Sequence, residues 1–307
     1  MSIALAIRRK LSLKVSLVLG VLMLGLTGCA LAVITWRETN QLEELTLQKA
    51  RLVASQAAHQ WGDMFDSAID AGDLTVTQVF DRAYVEIRGY AWPNERQRKY
   101  HTAYDGITDG RVLTFQDRIL QQEDFVYAVG ADVNGYIPTH NSNATKALTG
   151  SPEADGPNNR TKRIFNNEVE LTAAKNTDPS LQQIYHRDTG ETMWDVATPI
   201  YVKGKHWGGF RLGVSMRRID RLKHSNMLVL FGVFGVFTAV TISAIAFLIR
   251  RAMTPVVQLT AAAEQIGLGE GLDQPLKSMF VDEIGQLTKS LDRLRVSMKA
   301  AMARLGE

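Results

Sequence analysis

Two stretches without a charged residue, VSLVLGVLMLGLTGCALAVITW (Val15 to Trp36) and MLVLFGVFGVFTAVTISAIAFLI (Met227 to Ile249), decide most of what this chain can become. Each supplies the ~20 apolar residues that a helix needs to cross the hydrocarbon core of a bilayer. The chain therefore reads as a membrane protein with two spans, and the lipid bilayer is its first partner. Its 307 residues fall into a stub at 1–14, spans at 15–36 and 227–249, an intervening domain at 37–226, and a tail from 250 onward. The average composition, 45% hydrophobic and 22% charged, excludes a wholly disordered chain.

Basic residues set the orientation. Arg8, Arg9, Lys10 and Lys14 precede the first span with no acid among them, and Arg250 and Arg251 follow the second, so both termini read as cytoplasmic. Arg217, Arg218, Arg221 and Lys223 oppose this from the outer side, but the N-terminal cluster usually dominates and long translocated segments tolerate such charge. The net charge of +3 is too small and too close to the membrane to indicate nucleic acid.

The only cysteine, Cys29, lies within the first span, so the intervening domain has no disulfide of its own. LTGC, Leu26 to Cys29, also has the form of a lipoprotein cleavage box, which makes a lipid-anchored external binding protein the alternative reading. Against it, ALAVITW continues the apolar run to a full span, where a tethered protein would turn polar.

The intervening domain opens with no Gly or Pro between Trp36 and Gly62. Leu42, Leu45, Leu52, Trp61, Phe65 and Ile69 recur at helical spacing, which predicts that the first span continues outward as one long amphipathic helix. From about Asp124 the pattern changes to strands. DFVYAVGADVNGYIPTH predicts a strand, a tight turn at Asn134-Gly135 and a second short strand stopped by Pro138; TMWDVATPIYVKGKHWGGFRLGVSM predicts a hairpin turning at Lys203-Gly204-Lys205. Gly208-Gly209 in its second strand signals a bulge or a close backbone approach. Between these lies NSNATKALTGSPEADGPNNRTKRIF, read as a long loop closing in a basic turn.

A helix, a small antiparallel sheet and a long loop over one face make the plan of a Cache or extracytoplasmic PAS-like sensor domain. FVYAVGADVNGYIPTHN, NRTKRIF, IYHRDTGETMWDVATPIYV and GKHWGGFRLG together resemble the periplasmic region of a subset of bacterial methyl-accepting chemoreceptors, over about Tyr100 to Val214. Gly62 to Trp92 carries no such phrase. In the tail, Pro255 is expected to open a helix carrying Leu259, Ala263 and Ile266; GLGEGLDQPL follows as a connector, and Asp282, Glu283, Ile284 and Gly285 turn into a second helix. This resembles a HAMP domain over about 250–302, with 303–307 as the end of its helix. Ile284, Leu287, Leu291, Leu294, Met298, Ala301 and Leu305 repeat at spacings of three and four, the seam of a coiled coil. The seam cannot be buried by one helix alone, and the resemblance implies a parallel homodimer. The fold class expected is a membrane α+β protein: two transmembrane helices, an external helix plus antiparallel sheet, and a cytoplasmic helical coiled coil.

No catalytic constellation stands out, so the chain does not read as an enzyme. The six histidines are scattered, without metal-ligand spacing, and there is no nucleophile elbow or phosphate-cradling glycine loop. Some chemoreceptors with similar sensor domains attach haem through Cys-x-x-Cys-His, which is absent; a non-covalent haem on His140 or His206 is the minor alternative. No cofactor or metal is assigned. A small-molecule pocket is expected instead, from Tyr127, His140, Tyr185, Arg187, Trp194 and Trp207, with Tyr127 and Trp194 on strands that present an aromatic wall and Asp195 on the face opposite Trp194. Arg160, Lys162 and Arg163 suit a carboxylate or phosphate; equally, they suit ion pairs with Asp188, Glu191 or Asp195 that pin the loop. Each of these residues is also of a kind that packs a core or fixes a turn.

The function expected is that of a homodimeric receptor in the bacterial inner membrane, sensing a small molecule outside and relaying a change through the HAMP helices. Because a chemoreceptor of the resembled kind continues into a methylated coiled-coil hairpin, the seam ending at Leu305 is read as a dock for a separate cytoplasmic signalling protein. A zipper for the dimer alone or a truncated receptor remains the other account.

Overall fold

A computed structural model describes residues 11–187, 190–277 and 280–305. Arg8, Arg9, Lys10 and Asp188 lie outside the described residues, as does the side chain of Leu305. The chain divides into two compact units, Trp36–Met227 and the pair Met1–Thr35 with Leu228–Glu307.

The first span and the amphipathic run form one helix, α1 (Leu11–Asp70). Beyond Trp36 its inner face is small near the membrane and aromatic further out: Ala50, Ala54, Ala57, Trp61, Phe65 and Ala68 are buried. Leu45 and Leu52, counted with that face from sequence, are more than 60% exposed and point away from it. Gly62 to Trp92, which sequence did not place, includes α2 (Val76–Val79) and the short strand β1 (Val85–Glu86); β2 (Tyr100–His101), α3 (Asp105–Arg111) and α4 (Leu113–Leu120) follow.

The sheet consists of β3 (Phe125–Asp132), β6 (Leu181–His186), β7 (Thr192–Val202) and β8 (Lys205–Ser215), antiparallel in the order β3-β8-β7-β6. The β7–β8 hairpin turns where expected, with Lys203 and Gly204 both at positive φ (47° and 73°), as a two-residue turn matched to strand twist requires. A second small sheet pairs β4 (Tyr136–Ile137) with β5 (Arg163–Ile164). The long loop between them contains a 3-10 turn at Ser142–Ala144 and the helix α5 (Pro152–Asn158). Helix α6 (Glu168–Lys175) follows, closed at its start by a capping box between Asn167 and Glu170.

The sheet has two unlike faces. Ala128, Leu212 and Val196 are cross-strand partners in one row and Gly130 and Phe210 in the next, all on the α1 side. Gly130 is required there because a Cβ would lie 2.6 Å from the Trp61 ring. On the other face the rows are Tyr127, Gly213, Asp195, Gln183 and then Val129, Arg211, Ala197, Leu181. Helix α6 covers part of this face: a Cβ on Gly209 would lie 2.5 Å from the Ala173 carbonyl oxygen. The expected close approach at Gly208-Gly209 is therefore present, and so is the bulge. Ile200 pairs with Gly208 and Tyr201 with His206, leaving Trp207 as the extra residue.

In the other unit the second span lies in helix α7 (Met216–Gly267), and Pro255 sits inside it, where sequence expected a new helix to open. Helix α8 (Glu283–Leu305) is reached through a connector held to it by polar contacts: Lys299 to Asp273 at 2.6 Å, and the Leu276 N–H to Asp292 at 2.9 Å. Among the described residues, α1 from Leu13 onward and α7 are each long and apolar enough to cross a membrane.

Candidate functional site

The outer face of the sheet, the β4–β5 strands and α6 border a small cavity of about 20 Å³ lined by Tyr127, Val129, Ile137, His140, Arg160, Phe165, Glu170, Tyr185, Arg187 and Arg211. Its floor is polar and saturated. Arg211, 3% exposed, sets Nε and Nη2 at 3.1 and 2.9 Å from Oδ2 of the fully buried Asp195, while the Tyr127 hydroxyl donates to Oδ1 at 2.6 Å. Gly213 makes room for that tyrosine, since a Cβ there would meet its ring at 2.4 Å. On the wall, Tyr185 donates to Glu170 Oε1 at 2.7 Å, and Glu170 Oε2 accepts the Asn167 N–H of the capping box.

Each shift in acidity follows from this burial. Burial first and the Asp195 charge next push the Tyr127 phenol well up, and burial with Glu170 does the same to Tyr185. Burial would pull the Arg211 guanidinium down, but Asp195 and the two tyrosines outweigh it and hold it charged. His140 is driven well below the usual histidine range by burial and then by Arg160, Arg187, Arg163 and Arg211. It is thus neutral, and because Nδ1 accepts the Asn141 N–H at 2.8 Å, its proton belongs on Nε2.

Glu170, the one acid among the described lining residues, already accepts protein hydrogen bonds on both oxygens, as does Asp195 beneath the floor, whereas three guanidinium groups and an imidazole N–H surround the space. Arg160 stacks on Phe165 at 4.9 Å, and Arg187 lies over Tyr127 at 5.9 Å while facing Glu191 at 3.8 Å. Such a lining accommodates an anion and offers little to an ammonium group.

A second, larger recess of about 230 Å³ adjoins the first. Phe165, Glu170, Tyr185 and Arg187 line both. The outer recess adds Asn94, Arg96, Gln97, Arg163, Ile164, Asn166, Asn167 and His186.

Of the residues singled out in sequence, the structure brings Tyr127, His140, Arg160, Tyr185 and Arg187 to the inner cavity and Arg163 to the outer recess. Trp194 does not join them. It alternates with Asp195, as expected, but Tyr127 shares the Asp195 face, because the irregularity between Phe125 and Tyr127 in β3 shifts the register; Trp194 packs against the α1-side core. Trp207 is turned into that core by its bulge, where it meets Phe65 at 5.0 Å and donates from Nε1 to the Val79 carbonyl at 2.9 Å. Lys162 binds Asp105 and Asp109 at 3.1 and 2.7 Å, away from the cavity. Arg163 donates to the carbonyls of Arg96 and Gly156. The proposed loop pins also resolve differently: Asp195 pairs with Arg211, and Glu191 faces Arg187 at 3.8 Å. His206 is outside the cavity, its ring 5.6 Å from Tyr201. Among the described residues no group of His, Cys, Asp and Glu is placed to hold a metal ion.

Sequence reasoning missed Arg211, Glu170 and Phe165. Arg211 carried a signal: it is the one charge between Trp207 and Ser215 in a strand of Gly and large apolar residues, and a charge in a buried strand requires a buried partner.

In the tail, Leu259 and Ile266 are buried and Ile284, Leu291 and Met298 half-buried, whereas Leu287 and Leu294 of the seam are exposed. Gly285, Thr288 and Arg295 take buried positions on α8 that the apolar pattern did not mark. Asp282 caps this helix, accepting the N–H groups of Ile284 and Gly285, and Glu283 begins it.

Residues 247–300 match the HAMP domain family. Among solved structures, the sensor domain of E. coli DcuS is similar at 19% identity and a TM-score of 0.26, over 36% of this chain and 70% of that one. The sensory domain of the Campylobacter jejuni chemoreceptor Tlp3 (CcmL), with isoleucine bound, is similar at 10% identity and a TM-score of 0.29, over 60% of this chain and 65% of that one. Comparison with curated proteins gives no match.

Proposed function

We propose that this chain is a transmembrane sensory transducer whose external domain captures a small anion, in the first place a carboxylate, between Arg160, Arg187, Arg211 and His140. The HAMP match at 247–300 and the two membrane-length helices support the transducer. The single observation that carries the ligand class is the lining: Asp195 and Glu170 already accept from Tyr127, Arg211, Tyr185 and Asn167, and the charged groups around the space are otherwise guanidinium donors. The inner cavity, about 20 Å³, is far below the ~300–1,000 Å³ of ordinary ligand sites, so a carboxylate enters only as the lining side chains give way.

Output requires that the ligand favour one of two packings, since equal affinity for both moves nothing. The open seam of Leu287 and Leu294 fits a homodimer at the inner-membrane face, relaying the change to a separate cytoplasmic protein. The test is calorimetry of the full chain in nanodiscs against small carboxylates, amines and zwitterionic amino acids. Carboxylates are expected to bind, and Arg160→Gln and Arg187→Gln to weaken them at least tenfold. Preferential binding of an amine would overturn the anion assignment.

A further inference from the structure

Arg217, Arg218, Arg221 and Lys223 lie in the opening turns of α7, just before the second uncharged run. They are the charges that oppose the expected orientation, and the fold accounts for only two of them. Arg218 meets Glu123 at 2.5 Å, and Lys223 is paired with Glu43 of α1. Arg217 and Arg221 are exposed and, among the described residues, form no ion pair, not even with Asp220 between them. We infer that Arg217 and Arg221 form a contact surface for the headgroups of anionic phospholipids, so that acidic lipid in the leaflet nearest the sheet domain is a binding partner of the chain. The inference rests on the reading of α7 as a membrane span and is independent of the cavity and its ligand.

Three observations carry it. The first is level. The uncharged run begins at Met227, so at 1.5 Å of rise per residue Arg221 stands ~9 Å and Arg217 ~15 Å from its start. The headgroup layer is ~5–8 Å deep on each side of the hydrocarbon, which leaves Arg221 at its margin, where a long basic side chain reaches down to the phosphates. Trp36, 69% exposed at the end of the first uncharged run, is the kind of residue that marks this boundary on α1.

The second is direction. Arg217 and Arg221 are four residues apart and share a face of the helix, whereas Arg218 and Lys223 turn to acids of their own domain. His224, next on the shared face, donates from Nδ1 to the Asp220 carbonyl at 3.2 Å, which leaves the two guanidinium groups to meet whatever lies outside. The third is chemistry. Two like charges one turn apart repel each other, and a guanidinium fork matches two oxygens of a phosphodiester. A phosphate placed between them relieves the repulsion. A zwitterionic lipid brings its own cation with its phosphate, so the preference falls on lipids with net negative charge.

The experiment places a fluorophore on Ser225→Cys, one turn closer to the span than Arg221, in a Cys29→Ser background of the full chain in vesicles of phosphatidylcholine and phosphatidylglycerol. A trace of nitroxide-labelled lipid with one headgroup or the other quenches the fluorophore, and the ratio reports which lipid is enriched at this face. Phosphatidylglycerol is expected to be preferred about threefold or more at low salt, and less as salt rises. Arg217→Gln with Arg221→Gln should bring the ratio to one, and lysine at both positions should keep most of the preference. Arg250→Gln with Arg251→Gln, beyond the span, should leave it unchanged. If the neutral pair melts below wild type, Arg221→Gln alone carries the test and should at least halve the preference. Equal quenching in the wild type, the result expected if these arginines meet an acidic protein instead, overturns the inference, as does a preference that survives their loss.

Discussion

Asp195 and Arg211 provide the sharpest test of how the external domain is built. Replacing Asp195 by Ala removes the counter-charge of a guanidinium that is 3% exposed and takes away the acceptor of the Tyr127 hydroxyl. Breaking one partner of a buried ion pair costs ~3–5 kcal/mol, because the remaining charge is left in a medium that does not solvate it. For a domain of this size each kcal/mol moves the melting temperature by roughly 2–4 °C, so Asp195→Ala should melt roughly 6–20 °C below wild type. The double variant Asp195→Leu, Arg211→Met removes both charges and nearly restores volume, and such replacements are often neutral or stabilising. It should recover at least half of the loss while abolishing anion binding. The readout is tryptophan fluorescence of the full chain during a thermal ramp, since Trp61 and Trp207 report on the buried core. A single variant within 2 °C of wild type, or a double variant as unstable as the single, would refute the account of Asp195 as the required partner of a buried charge.

Other outcomes follow from the same physics. Lys99, 7% exposed among the oxygens of Asn159 and Thr161, has its pKa brought down to about 7 by burial, then by Arg163 and Lys162; the unfolded chain holds that proton up to about 10.5. Stability should therefore rise with pH above about 7, by up to about 1.4 kcal/mol per unit, and Lys99→Met should flatten the rise between pH 7 and 10 in urea titrations. His140, whose folded pKa is depressed, has the same sign at lower pH: stability should be lost as pH falls below about 6.5, and His140→Gln should reduce that loss. Gly130→Ala should destabilise by ~1–3 kcal/mol through its clash with the Trp61 ring, whereas Gly72→Ala, with open space around it, is opposed only by its positive φ. Replacing Leu294 and Met298 by Asp should abolish cross-linking between copies in the tail without changing the melting of the external domain; unaltered cross-linking would remove the seam from the dimer. Reporters fused after Leu305 and inserted at Ser151 should behave as cytoplasmic and periplasmic respectively, and the reverse would invert the topology.

Much of the architecture was legible because it depends on patterns that one chain displays by itself. An uncharged run of span length, helical spacing from Leu42 to Ile69 and a Lys-Gly turn between alternating strands each identify their element. What failed depended on register. Alternation alone puts Trp207 on the Arg211 face, and only the bulge that pairs Tyr201 with His206 turns it inward. Likewise Tyr127 and Trp194 both belong to alternating strands, but a one-residue irregularity before Tyr127 separates their faces. Pro255 misled for a different reason: a proline opens a helix readily, yet the segment before it is also helical, so it marks an interior position of α7. The site was half legible, since aromatic and basic residues near turns drew notice, while Glu170, in a stretch where no element was read, did not. Its role comes from a tertiary contact with Tyr185 that sequence does not display.

The placement of the cavity on the sheet suggests how its occupancy is felt by the helices. β8 carries Arg211 and Gly213 on the cavity face and Phe210, Leu212 and Val214 on the α1 face, so any movement of its backbone is felt on both sides of the sheet. Close packing makes that coupling stiff: Gly130 admits the Trp61 ring and Gly213 the Tyr127 ring with no room for a methyl group in either place. β8 ends at Ser215 and α7 begins at Met216, with no linker in which a displacement could be absorbed. Lys223 of α7 is paired with Glu43 of α1, which ties the two departing helices together at one level. A ligand that draws Arg211 toward its carboxylate competes with Asp195 for the same guanidinium, and the strand bearing Arg211 is the one that leads into α7. Proximity of this kind identifies a route and not a mechanism; the physical requirement is that the ligand bind one arrangement of β8 more tightly than the other. Charge-reversal of the Lys223–Glu43 pair distinguishes the two. If the pair fixes the relation of the helices, Lys223→Glu alone should shift the ligand affinity, and Lys223→Glu with Glu43→Lys should restore it; affinity indifferent to all three would place the coupling elsewhere.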